Sequence, residues 1–163
     1  MDLDQQIQAL IENAPQDGQT PEIVAAIAPA LKALAMQLHH YEYYILQTLD
    51  RRWLVTTLSN RAKPSLEKQV IYGFPTLKDA TNAAYAPRDS QAIAMPVPAI
   101  HILFQLTAIE KVDSLVFFET PNQLGSGTEV RREDIQNLIR TQLKQYRESL
   151  PGPKPRNIPP DIA

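Results

Sequence analysis

Three histidines, His39, His40 and His101, are the residues of this chain best suited to metal or proton-transfer chemistry, and their spacing serves neither well. A zinc site needs several His, Cys or carboxylate ligands to converge, commonly with two of them three or four residues apart on a helix. His39 and His40 are adjacent and therefore diverge in either a helix or a strand. The positions four away from His101 are Val97 and Gln105, neither a typical ligand. Ordinary structural or surface histidines are expected. The chain has no cysteine, which removes disulfides, thiolate nucleophiles, iron–sulfur clusters and Cys-type zinc sites. Ser126, within Gly125-Ser126-Gly127, lacks the spacing of a nucleophile elbow. The same tripeptide falls between an expected strand and an expected helix, where phosphate loops occur, yet it completes neither glycine-rich phosphate motif, so a flexible turn is expected. Carboxylates are scattered, and no general acid/base couple stands out. These residues predict a non-enzymatic protein with no cofactor and no metal.

Two groups of residues are better suited to binding. Tyr41, Tyr43, Tyr44 and Trp53 form an aromatic cluster on a proposed hairpin. Half should be core; the rest would make interface anchors, because tyrosine and tryptophan join a large apolar body to a polar tip. An exposed hairpin edge would also accept a partner strand. Further along, Arg132, Arg140, Lys144 and Arg147 follow a four-and-three spacing that aligns them on one face of a helix. Residues 131–156 hold seven basic and three acidic groups, whereas residues 1–22 hold five acidic and no basic ones. A solvated face is the plain interpretation. The functional one is a basic patch, carried by Arg140, Lys144 and Arg147, for an acidic partner or for pairing between the ends of one or two chains.

The elements that position these residues follow from periodicity. Leu3, Ile7, Leu10 and Ile11 predict a helix over 2–13, followed by a linker to residue 19. Thr20-Pro21-Glu22 has the form of an N-cap, a first-turn proline and an acid, opening a helix that carries Ile27, Leu31, Leu34 and Leu38, with a kink or break at Pro29. Residues 41–49 are rich in aromatic and β-favouring types and predict a strand, paired with 53–59 through the polar turn 50–52, although Leu38, Tyr41, Ile45 and Leu49 also keep helical spacing. Strands are expected at 68–74, 91–95 and 114–119, and helices at 76–84, at about 98–110 and from 131 onward. Helix 98–110 is apolar on both sides, which requires burial by its own domain or cover from a partner. The predicted class is α/β (α+β), with helices packed on a mixed, mainly antiparallel central sheet in an α-β-α sandwich-like arrangement.

Residues 20–150 are read as one domain, preceded by the helix and linker of 1–19 and followed by a Pro-rich tail at 151–163, expected to be disordered. The tail holds no PxxP register. A net charge of −2 gives no electrostatic footprint for nucleic acid. The apolar run 93–109 is too short to span a bilayer and is interrupted by Pro96, Pro98 and His101. The acidic, polar N-terminus has no secretory pattern, so a cytoplasmic location is expected.

Four runs carry a resemblance: Trp53-Leu-Val-Thr-Thr-Leu, Tyr72-Gly-Phe-Pro-Thr-Leu-Lys-Asp-Ala80, Leu115-Val-Phe-Phe-Glu-Thr-Pro121 and Val130-Arg-Arg-Glu-Asp-Ile135. Across residues 50–145 this pattern resembles the N-terminal domain of SseB-like proteins. The chain departs from it in the helical segment that precedes the pattern and in ending the late strand on Glu-Thr-Pro rather than Asn-Pro-Gly. Small size, abundant Gln and Pro, absent Cys and helices flanking a sheet are also similar to the CcmS-like carboxysome assembly chaperones of cyanobacteria. That likeness implies an α-β-α sandwich, a homodimer, and capture of an extended shell-protein tail; it transfers no binding residue. The expected partner is therefore another protein, engaged by an assembly factor or chaperone.

Overall fold

The structure, a computed structural model, describes residues 2–59, 62, 67–82, 92–123 and 127–149. Gly125, Ser126, the Pro-rich tail, and the expected ends of helix 76–84 and strand 91–95 lie outside them. Within them are α1 (Leu3–Glu12), α2 (Thr20–Ala35), β1 (Glu42–Gln47), β2 (Thr56–Ser59), β3 (Glu67–Phe74), α3 (Leu77–Asn82), β4 (Ile93–Pro98), α4 (Ala99–Leu106), β5 (Ser114–Phe118), β6 (Gly127–Arg131) and α5 (Arg132–Ser149). The sheet runs β4-β1-β3-β5-β6, with β2 also on β3. Only β3 and β5 pair in parallel; the remaining pairs are antiparallel. This is the expected mixed, mainly antiparallel sheet with helices on both faces.

Strand alternation divides the core between the two faces. Tyr43, Ile45, Ile71, Leu115 and Phe117 face α1, α2, α4 and α5. Leu46, Val70, Tyr72, Phe74 and Phe118 occupy the other face with Ala80 of α3. There the rings of Tyr72 and Phe74 each stack on Phe118 at 5.4 Å. Gly73 serves the first face: a Cβ at this position would lie 2.9 Å from the Phe117 ring and 3.3 Å from Tyr43 Cβ. Only glycine leaves room for the Tyr43–Phe117 contact, with centroids 4.6 Å apart.

α1 is bound into this core. Leu3 is buried, and so is Gln6, whose amide bridges two other elements. Its Nε2 donates to the Tyr41 carbonyl at 2.7 Å, and its Oε1 accepts from Ile100 N–H at 2.9 Å, satisfying one of the open donors at the start of α4. Gln6→Leu keeps the bulk and deletes both bonds. It is expected to cost about 1–3 kcal/mol, seen as a lower urea midpoint at unchanged slope. An unchanged midpoint would remove this bridge from the account.

Several local expectations are corrected. Thr20 is not the N-cap of α2: Asp17 accepts from Gln19 N–H, Thr20 N–H and the Thr20 hydroxyl at 2.9, 2.7 and 2.7 Å. These bonds, chiefly those from Thr20, bring the Asp17 carboxyl down to about 2. A carboxylate depressed in this way stabilises the native state above its ordinary value of 3.8 and loses that contribution as pH falls towards about 2. Carbon-detected NMR titration of Asp17 Cγ should give a midpoint near 2, whereas one near 3.8 would contradict these hydrogen bonds. The break expected at Pro29 does not occur: α2 is continuous through it, and Pro29 and Ala25, whose carbonyl loses its N–H partner, both lie on the exposed side where water can take the place of the bond. α4 stops at Leu106 instead of residue 110. Thr107, Ala108 and Ile109 tighten to bonds three residues back, and Arg132 donates to the Leu106 and Thr107 carbonyls at 3.3 and 3.2 Å. Residues 128–130, for which no element was expected, form β6 together with Gly127 and Arg131; it buries Val130 and is held by its ladder to β5. No helix among the described residues is long and apolar enough to cross a membrane.

Candidate functional site

β1 is a strand, as its residue types predict, but its hairpin with the following segment is brief. Thr48 N–H donates to the Arg52 carbonyl and Leu54 N–H to the Leu46 carbonyl, each at 2.8 Å, with Gln47 bridged to Trp53 between them. Arg51 takes a left-handed φ of 66° to close the turn. β2 then leaves β1 and pairs with β3. β1 is thus flanked by β4 on one side and by β3 and the turn on the other, so it presents no open edge to a partner strand. Beyond β1 the sheet ends at β4, and its other end is β6. Ala99 N–H donates to the Tyr41 carbonyl at 2.9 Å, so odd-numbered N–H groups face β1 and the even positions, including Pro96 and Pro98, face outward. Those prolines leave Ala94 as the outward N–H donor of β4, which blunts it against strand addition.

The turn carries Trp53 onto the helix-bearing face, where its ring meets His101 edge-on with centroids 6.4 Å apart. His101, Phe104 and Gln105 lie one turn apart on α4 and form the strip of that helix left partly open, while Ile100, Ile102, Leu103 and Leu106 are fully buried. Two clefts flank the strip. One, about 470 Å³, lies between α1, the start of α2 and α4, with Leu10, Val24 and Phe104 among its lining. The other, about 760 Å³, lies between the β1 turn and the end of α4, with Trp53, Val55 and Ile109 on its walls and Arg51, Arg52 and Lys111 among its charged residues. His101 and Gln105 line both, so the two clefts adjoin along α4 as the halves of a groove divided by these two side chains. Burial pushes the His101 imidazole below its ordinary 6.5, making it neutral at neutral pH.

The sequence-predicted residues do not gather in this groove. Trp53 alone belongs to it. Tyr41, 60% exposed, and half-buried Tyr44 line a separate, more polar cleft of about 450 Å³ with His40 and Glu42. Tyr43 is fully buried and offers a partner no surface. Its hydroxyl donates to Glu119 Oε1, whose other oxygen accepts from Thr128 Oγ1 and His39 N–H at 3.3 Å each. His40 Nε2 donates to the Glu119 carbonyl at 2.7 Å. Burial, then the bond to Glu119, raise the Tyr43 phenol far above its ordinary value, so it stays protonated as a donor. This cluster ties the α2–β1 connection to the end of β5. Arg140, Lys144 and Arg147 are exposed on α5, with Arg140 bonded to Asn137 at 2.8 Å. Arg132 is not part of that face, being held against the end of α4. α5 meets the first turn of α2 through Tyr146, whose hydroxyl donates to Glu22 at 3.4 Å, while acidic Asp4 pairs with Lys32 at 2.8 Å rather than with α5.

Sequence reasoning missed Phe104, His101 and Gln105 as a site, although two polar residues four apart on an otherwise apolar helix were a usable signal. It had no means of finding Leu10 and Val24, which join the groove only through tertiary packing. Among the described residues no three His, Asp or Glu groups lie together so as to hold a metal ion. Compared with protein families, curated proteins and solved structures, the chain matches none.

Proposed function

We propose that this chain is a non-enzymatic protein-binding module, an assembly factor or chaperone that captures an apolar segment of another polypeptide in the groove along α4. The observation that carries this reading is the open strip His101–Phe104–Gln105 running between two clefts walled by Trp53, Leu10, Val24 and Ile109. On the same helix Ile100, Ile102 and Leu103 are fully buried while this side is only partly covered, and grooves with apolar walls take peptide segments. A base for catalysis is ordinarily oriented by a hydrogen-bonded partner, whereas the His101 imidazole, among the described residues, meets the Trp53 ring edge-on and has no side-chain hydrogen bond. The likeness to CcmS-like chaperones supplies a candidate partner, the tail of a carboxysome shell protein, and a homodimeric state to be checked by light scattering. A second reading, docking of an acidic partner on α5, rests on the exposure of Arg140, Lys144 and Arg147 and predicts binding that fades steeply with salt.

The test uses Trp53, the sole tryptophan. Peptides are selected on the full chain from a random linear library displayed on phage, then titrated while its emission is followed. Saturable blue-shifted emission supports the reading. Selected peptides that bind without changing Trp53 emission would place the site elsewhere.

A further inference from the structure

The two halves of the groove differ in charge. Among the described residues, the cleft beside α1 is lined by Leu10, Val24, Phe104 and neutral polar groups such as Asn13 and Thr20, with no charged side chain. Among the same described residues, the cleft beside Trp53 holds Arg51, Arg52 and Lys111 against a single acid, Glu110. Arg52 is partly compensated by Asp50 at 3.2 Å, whereas neither Arg51 nor Lys111 has a carboxylate within ion-pair reach among the described residues. Between the two halves stand neutral His101 and Gln105, which add no charge of their own.

We infer that the groove takes its ligand in one direction: an apolar stretch of the partner fills the cleft between α1 and α4, and an acidic stretch of the same segment lies over Arg51 and Lys111 beside Trp53. The inference rests on the groove reading above and adds to it the chemistry and polarity of the ligand. Electrostatic complementarity of this kind fixes register and excludes wrong partners more than it adds affinity. The chain's own segment 151–163 fits poorly, since it carries Lys154 and Arg156 against one acid, Asp161. The occupant is therefore a segment of another protein, acidic at one end and apolar at the other.

The experiment pans the phage library on the full chain, with Trp53→Ala as counter-selection. The best peptide is then titrated against the native chain and the triple variant Arg51→Gln, Arg52→Gln, Lys111→Gln, in low and in high salt, with circular dichroism verifying that the variant is folded. Selected sequences should carry Asp or Glu clustered at one end of an apolar stretch. The triple variant should bind about tenfold more weakly, with most of the salt dependence gone. Neutral or basic flanks, or equal binding by the triple variant, would overturn the directional inference while leaving the groove reading intact. Should no peptide distinguish the native chain from Trp53→Ala, both fall together.

Discussion

Replacing Trp53 with alanine should weaken a selected peptide by about 2 kcal/mol, roughly thirtyfold in Kd, while the chain remains folded. Tryptophan is the strongest anchor type in interfaces because its large surface loses little conformational freedom on binding. Trp53 is half-buried and set by the turn that follows β1, with Thr48 N–H donating to the Arg52 carbonyl at 2.8 Å on one side and Leu54 N–H to the Leu46 carbonyl at 2.8 Å on the other. Its ring is thus placed against His101 before any ligand arrives, which lowers the ordering cost of binding. The substitution also removes part of the cover over the core, so thermal unfolding by circular dichroism must accompany calorimetric titration. Trp53→Phe, which keeps an aromatic surface, should recover most of the affinity. Equal affinity in the alanine variant would take Trp53 out of the binding surface.

Removing the Glu119 side chain, as Glu119→Ala, should destabilise the domain by on the order of 3 kcal/mol without changing peptide affinity. Glu119 is 9% exposed and its carboxyl accepts from Tyr43, Thr128 and the His39 N–H, so alanine strands three donors at the end of the sheet. Tyr43→Phe deletes one of those bonds and retains the ring against Phe117, so it should cost about 1.5–3 kcal/mol. Because the two groups share one bond, their losses in a double-mutant cycle should fall short of additive. Additive losses in urea unfolding would show that the Tyr43–Glu119 bond adds nothing to stability. A change in peptide affinity would show that this cluster is coupled to the groove, which its position between the α2–β1 connection and the end of β5 does not provide.

What could be read from the chain is what local pattern controls. Ile7 and Leu10 set the inner side of α1. The run Tyr43–Leu46 favours a strand over the helical spacing it also satisfies, and Ser114–Phe118 announces an interior strand by its unbroken apolar character. β6 escaped because its strand signal is only Thr128 and Val130, set between Gly127, Glu129 and Arg131, and the ladder to β5 completes it. The pairing of β2 with β3 instead of β1 was also out of reach, since the turn around Arg51 suits either course and distant register decides. Arg132 continued the basic spacing of Arg140, Lys144 and Arg147, yet the carbonyls it bonds belong to another helix. The aromatic cluster was found as residues but not as a site: strand alternation sent Tyr43 inward and Tyr44 to the opposite face, and the turn carried Trp53 to α4. The groove joins α1, the turn after β1 and α4, so no single window of sequence contains it.

The most direct measurement is a backbone and indole NMR footprint of the isotopically labelled chain with a saturating selected peptide. The largest shifts should fall on the Trp53 indole N–H and on the amides of Leu10, His101, Phe104 and Gln105. Shifts confined to Tyr41 and Tyr44, or to Arg140, Lys144 and Arg147, with the Trp53 indole unmoved, would contradict the groove as the working surface of this protein.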